Sequence, residues 1–160
     1  MSRPLRVGVL TGGGDAPGLN AVIRAVTKSL ILQHNAEVLG FEEGFMGMIE
    51  RRVRPLSYRD VSGILTQGGT ILGANSVILG HVQRGGTPTP YDRTLATVYG
   101  SYAASMVADG AHGRMAALQE GHLTSIPLEE AAGKTRTVPF DAPMLAAALA
   151  VGTEASAKIS

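Results

Sequence analysis

Apolar residues along this chain follow two rhythms. Residues 5–10, Leu5-Arg6-Val7-Gly8-Val9-Leu10, form a short apolar run with one charge, which suits a buried parallel strand. From Asn20 the rhythm becomes helical, with Ala21, Val22, Ala25, Val26 and Leu30 recurring at turn intervals. Glu37-Val38-Leu39-Gly40-Phe41 predicts a second strand, residues 44–49 a short helical turn or apolar loop, and residues 53–56 a brief strand. Ser57 reads as the N-cap of a further helix, with Asp60 in its third position and Val61, Ile64 and Leu65 as its buried stripe. Gln67-Gly68-Gly69 ends that helix, and Thr70-Ile71-Leu72-Gly73 follows as a short extended piece.

Residues 77–82 predict another strand, Gln83-Arg84-Gly85-Gly86 a turn, and Pro88 and Pro90 an extended approach to the next helix. That helix is expected over 91–108, with its alanines, Leu95, Val98, Tyr102 and Met106 on one packed face. Residues 114–118 and 122–126 are expected to pair as a hairpin about Glu120-Gly121. A short helix over 127–131 and an alanine-rich one over about 142–151 complete the chain. Strands alternating with helices predict an α/β fold, a mostly parallel sheet flanked by helices, in one domain over 1–160.

With 14 basic and 13 acidic residues, the chain has no global field to draw it to nucleic acid or a membrane. The absence of cysteine excludes a disulfide framework and thiolate metal sites. Met1-Ser2-Arg3-Pro4 runs directly into the first strand without a signal-peptide apolar region, so a cytoplasmic protein is expected. The 21 glycines exceed the usual share of about 7%, and they cluster at 12–14, 68–69 and 85–86, which points to special backbone sites.

The first cluster carries the candidate chemistry. Leu10-Thr11-Gly12-Gly13-Gly14-Asp15-Ala16-Pro17-Gly18-Leu19-Asn20 lies between a predicted strand and a predicted helix. Glycines let the backbone approach an anion, and a helix N-terminus adds N–H groups and a positive dipole end. The loop is neither of the common nucleotide motifs. Pro17 stands where a Rossmann loop needs its last glycine, and Leu19 follows Gly18 where a Walker loop needs lysine. A plain turn ahead of a helix is the competing reading.

Three strings together resemble the phosphofructokinase family: Gly13-Gly14-Asp15-Ala16-Pro17-Gly18-Leu19-Asn20, Gln67-Gly68-Gly69-Thr70-Ile71-Leu72-Gly73 and Leu79-Gly80-His81-Val82-Gln83-Arg84-Gly85-Gly86. The continuation Thr87-Pro88-Thr89-Pro90-Tyr91-Asp92-Arg93 also matches. The resemblance covers most of residues 5–130 and is similar in style to the actinobacterial branch. It implies phosphoryl transfer from ATP or pyrophosphate, with Mg2+, to fructose 6-phosphate, in a homo-oligomeric glycolytic enzyme. Gly13, Gly14 and Asp15 would then lie against the donor phosphates, and His81 and Arg84 would hold the sugar phosphate. Asp15 reads as a cap for the turn and helix N-terminus in preference to a magnesium ligand. Arg24 resembles a basic residue of the family's effector site, or is an exposed helical arginine. Asp92 and Arg93 read as a cap and a surface pair.

The chain also departs from the family. There the second and third strings stand far apart, but here only Ala74-Asn75-Ser76 separates Gly73 from Val77. The resemblance implies that a second glycine-aspartate loop, a Thr-x-Asp-Asn-Asp segment with the catalytic base, and a Met-Gly-Arg segment belong between them. No such string occurs in the chain. Asn75 and Ser76 occupy the places of two family arginines. The sequence thus resembles two ends of a phosphofructokinase, 1–76 and 77–160, joined across an internal deletion. No catalytic residue is expected to be retained. The alternative is a non-catalytic nucleotide- or phosphate-binding remnant, or a subunit partner.

Overall fold

The computed structural model describes residues 3–13, 16–73, 86–133, 139 and 141–151. The chain divides into two compact units, Met1–Leu128 and Glu129–Ser160. Although it reads as one domain in sequence, its whole described core, from Ile23 to Ala104, lies in the first unit.

The first unit is built on a β–α–β turn. Strand β1 (Arg6–Val9) pairs in parallel with β2 (Glu37–Phe41), with Val7 opposite Val38 and Val9 opposite Gly40. Helix α1 (Leu19–His34) makes the crossover that parallel pairing requires. Helix α2 (Gly44–Ile49) then reverses the chain, and β3 (Val53–Pro55) adds to the far edge of β2 antiparallel. The fold is α/β, as expected, with its parallel part confined among the described residues to β1 and β2. Ile23 and Leu30 of α1 pack with Val38 of β2, Leu56, Val61, Ile64 and Leu72. Gly40 makes room for two of these: a Cβ there would lie 2.6 Å from Leu72 and 3.1 Å from Leu56. Leu72, only 1% exposed, is thereby seated on the central strand.

Helix α3 (Pro90–Ala108) packs along α1. Its start is a capping box: Asp92 accepts the Thr89 N–H at 2.8 Å, and the Thr89 hydroxyl oxygen accepts the Asp92 N–H at 3.2 Å. Asp92 therefore serves the cap as expected. Arg93 does not pair with it, because its Nη1 donates to the Pro88 carbonyl at 3.3 Å. The expected packed face also differs. Val98 is 42% exposed, whereas Gly100 and Ala104 are buried. A Cβ on Gly100 would stand 2.8 Å from the Ala25 Cβ and 2.9 Å from the Val22 carbonyl. The helices meet at backbone distance, so the smallest residues define the seam and the larger ones lie beside it.

Strands β4 (Arg114–Gln119) and β5 (His122–Pro127) form the expected antiparallel hairpin. Glu120 and Gly121 both have positive φ, as a two-residue turn of this hand requires. Helix α4 (Leu128–Ala131) starts at the unit boundary, and α5 (Pro143–Ala150) belongs to the second unit.

Two expectations fail between the strands and α3. The helix expected from Ser57 is a turn followed by a 3-10 helix, Ile64–Thr66. Its capping signal is real, since Asp60 accepts the Ser57 N–H at 2.7 Å. Gly63 at φ 84 then breaks the helical path after one turn. Residues 70–73 are a turn closed by Gly73 N–H to the Thr70 carbonyl at 3.2 Å, and are not extended. The strand expected over 77–82 lies outside the described residues.

Candidate functional site

The site lies where β1 ends. Thr11 is buried there, and the chain emerges at Gly12 and Gly13, both exposed. Gly13 adopts φ 89, and a Cβ placed on it would meet none of the described residues within 4 Å. Its backbone is open to a ligand. The loop closes into α1 through Gly18 at φ 93, which caps the helix without a side chain. Gly18 is buried against Ala96, and Asn20 and Ala21 are buried too, so the open surface is at Gly13 and away from the helix start. Gly14 and Asp15 lie outside the described residues, as do His81, Arg84, Asn75 and Ser76.

The second glycine string is fastened beside the first. The Thr11 hydroxyl donates to the Gly73 carbonyl at 2.5 Å and stands 3.2 Å from the Thr70 hydroxyl. The Thr70 oxygen also accepts the Leu72 N–H at 3.2 Å. Asn20 does more. Its Nδ2 donates to the carbonyls of Gln67 and Gly68 at 3.2 and 3.3 Å, and its Oδ1 accepts the Ile71 N–H at 2.8 Å. The Leu72 carbonyl accepts the Glu43 N–H at 2.6 Å, which holds the turn to the end of β2. The last residue of the third string is present as well, because the Gly68 backbone lies so close to the Gly86 carbonyl that no side chain fits at Gly68. The first two strings and the final glycine of the third therefore meet at one place. The bracing roles of Thr11, Asn20 and Gly68 are not visible in sequence, since their partners stand many residues away and leave no local pattern.

Among the described residues this site offers backbone groups and hydroxyls, with no group of three or more His, Cys, Asp or Glu side chains that could hold a metal. Arg24 lies elsewhere, half-buried, lining a cleft of about 170 Å³ between α1 and α3 with Lys28, Gln33, Thr97 and Ser101. The Lys28 ammonium sits 3.7 Å from the centre of the Tyr58 ring. Its hydrogen bond and charge, with a smaller contribution from Arg24, hold the Tyr58 hydroxyl below its ordinary pKa of 10.0. A shallower cavity of about 330 Å³ is lined by Leu65, Arg93 and Val98. No described helix is long and apolar enough to cross a membrane.

The phosphofructokinase family profile matches residues 6–77, the stretch that contains both the Gly13 loop and the 67–73 turn. An ATP-dependent 6-phosphofructokinase of Streptomyces coelicolor is 54% identical over 71 residues, 44% of this chain and 21% of that protein. A pyrophosphate–fructose 6-phosphate 1-phosphotransferase of Amycolatopsis methanolica is 56% identical over 71 residues, again 44% of this chain and 21% of that protein. An ATP-dependent 6-phosphofructokinase of Spirochaeta thermophila is 48% identical over 89 residues, 56% of this chain and 24% of its own. The phosphofructokinase match thus spans between about a fifth and a quarter of these relatives. Among solved structures, Pichia pastoris phosphofructokinase in the T-state superposes over 69% of this chain and 10% of its own, with 28% identity and a TM-score of 0.44.

Proposed function

We propose that this chain is a phosphate-binding unit of the phosphofructokinase type that does not transfer phosphate by itself. The observation that carries the reading is the open Gly13 backbone, with φ 89 and no described residue where a side chain would be, inside a stretch that matches the phosphofructokinase model. Backbone approach is what a polyphosphate needs, more than any particular side chain. Gly13, Gly14 and Asp15 would meet the phosphates of ATP or pyrophosphate. Both donors occur in the names of the relatives. His81 and Arg84 would hold the phosphate of fructose 6-phosphate, the arginine through its two-pronged guanidinium. Magnesium would enter with the polyphosphate, bridging its oxygens as it commonly does in phosphate sites.

Transfer to a sugar hydroxyl further requires a base for that hydroxyl and cations on the moving phosphoryl group. The segment that supplies the base in the family has no counterpart string here. Loss of a base alone lowers the rate about a hundredfold or more. Calorimetry with ATP and with pyrophosphate is expected to show millimolar binding, about 4 kcal/mol. A coupled assay with fructose 6-phosphate and magnesium is expected to show no turnover with either donor. Turnover that vanishes in Arg84→Ala establishes an enzyme instead, because a contaminant would not respond to that change. A protein that binds neither donor leaves the Gly13 loop as a turn only.

A further inference from the structure

We infer that Asn20 is the positioning residue of the Gly13 loop, and that through it an anion at Gly13 and the order of residues 67–73 are linked. The inference rests on the phosphate-binding reading and goes beyond it by naming what sets the loop's shape. Asn20 is 2% exposed and sits in the first turn of α1, two residues past the loop's closing glycine. Its amide uses both ends on one target: Nδ2 on the Gln67 and Gly68 carbonyls, Oδ1 on the Ile71 N–H. A buried amide bonded at both ends fixes its partners strongly, because any displacement strands a polar group away from water.

The geometry makes a closed frame. Thr11, before Gly13, holds Gly73 and Thr70, while Asn20, after Gly13, holds Gln67, Gly68 and Ile71. The loop from Thr11 to Asn20 is therefore braced at both ends by the same seven-residue turn. Leu72, plugged onto β2 at Gly40, anchors that turn to the sheet. Gly18 cannot perform this role, since it caps α1 without a side chain. Asn20 is buried with both ends of its amide engaged, so it acts on binding by holding the backbone.

The test uses the full 160-residue chain, with Asn20→Ala, Asn20→Asp and pyrophosphate as the probe. Without ligand, the Ile71 amide is expected to exchange with deuterium at least tenfold faster in Asn20→Ala, while pyrophosphate affinity falls at least fivefold. Asn20→Asp keeps the acceptor for Ile71 but turns a second oxygen toward two carbonyls. Burial and those carbonyls raise the pKa of the introduced acid, and only its protonated form can donate to them. Its native partners are backbone groups that do not titrate. Its affinity relative to the wild-type chain at the same pH is therefore expected to rise as pH falls, a response that Asn20→Ala lacks and that general loosening of the fold does not give. Should Asn20→Ala fail to fold, the Asn20→Asp pH profile decides alone, and a flat profile overturns the inference. Wild-type binding that survives Asn20→Ala, or Ile71 exchange unchanged in that variant, overturns the positioning role alone. A wild-type chain that binds no pyrophosphate overturns the phosphate-binding reading and the positioning role together.

Discussion

Glycines do different work at different positions of this site. At Gly13 the demand is conformational, because φ 89 lies in the left-handed region while no described residue crowds it. Gly13→Val is expected to lower stability by about 1–2 kcal/mol through backbone strain alone, measurable by denaturant titration, and to abolish pyrophosphate binding in calorimetry. At Gly68 the demand is steric, since the Gly86 backbone occupies the place of a side chain. The string containing Gly13 is legible from its composition and its place between strand and helix. Asn20 stands in the same string and is not legible as a brace, because its three backbone partners lie 47 to 51 positions further along. The capping aspartates are legible from spacing, and they carry a pH signature. The Thr89 hydroxyl and N–H hold Asp92 below the ordinary aspartate pKa of 3.8, and Ser57 does the same for Asp60. A depressed folded-state pKa stabilises above the unfolded value and is lost as pH falls through the lower folded one. Acid titration followed by circular dichroism should therefore show the start of α3 loosening below about pH 4, with Asp92→Asn removing that dependence.

Between elements, the seam of α1 and α3 carries much of the architecture. Gly100→Leu is expected to force the two helices apart and lower stability by about 2 kcal/mol, the range for overpacking a tight contact. Thermal unfolding should register several degrees. Thr89→Ala removes the cap hydroxyl and is expected to lower stability by about 1 kcal/mol without moving the seam. Most elements are readable from apolar period and turn chemistry, as with β1, α1, β2 and the hairpin about Glu120-Gly121. The packed face of α3 is legible only in part: the expected alanines include buried Ala104, but Gly100 is buried where two backbones cross and Val98 is not, because side-chain size is a poor mark of burial there. The region from Ser57 escapes the sequence for a different reason: its caps and apolar spacing favour a helix, and one positive-φ glycine, Gly63, overrides them.

Across the chain as a whole, the described core belongs to residues up to Ala104 and closes within Met1–Leu128. A chain ended after Leu128 is expected to keep the cooperative thermal transition of the full one, with its midpoint shifted by no more than a few degrees, because it loses none of that core. Loss of cooperativity in calorimetric unfolding would show that the second unit supports the first. The strings that resemble the phosphofructokinase family are legible without coordinates. Their convergence is not, since it depends on side chains and backbone meeting across turns.

The tight crossing of Gly68 and Gly86 has a polymer consequence. Two backbones pinned at that point form the neck of a loop, and whatever chain runs between them enters and leaves at the same place. Closing such a loop becomes only slowly more difficult with length: making the intervening segment four times longer raises the entropic penalty by about 1 kcal/mol. The neck is therefore a position at which chain can be gained or lost in bulk while the framework on either side keeps its arrangement.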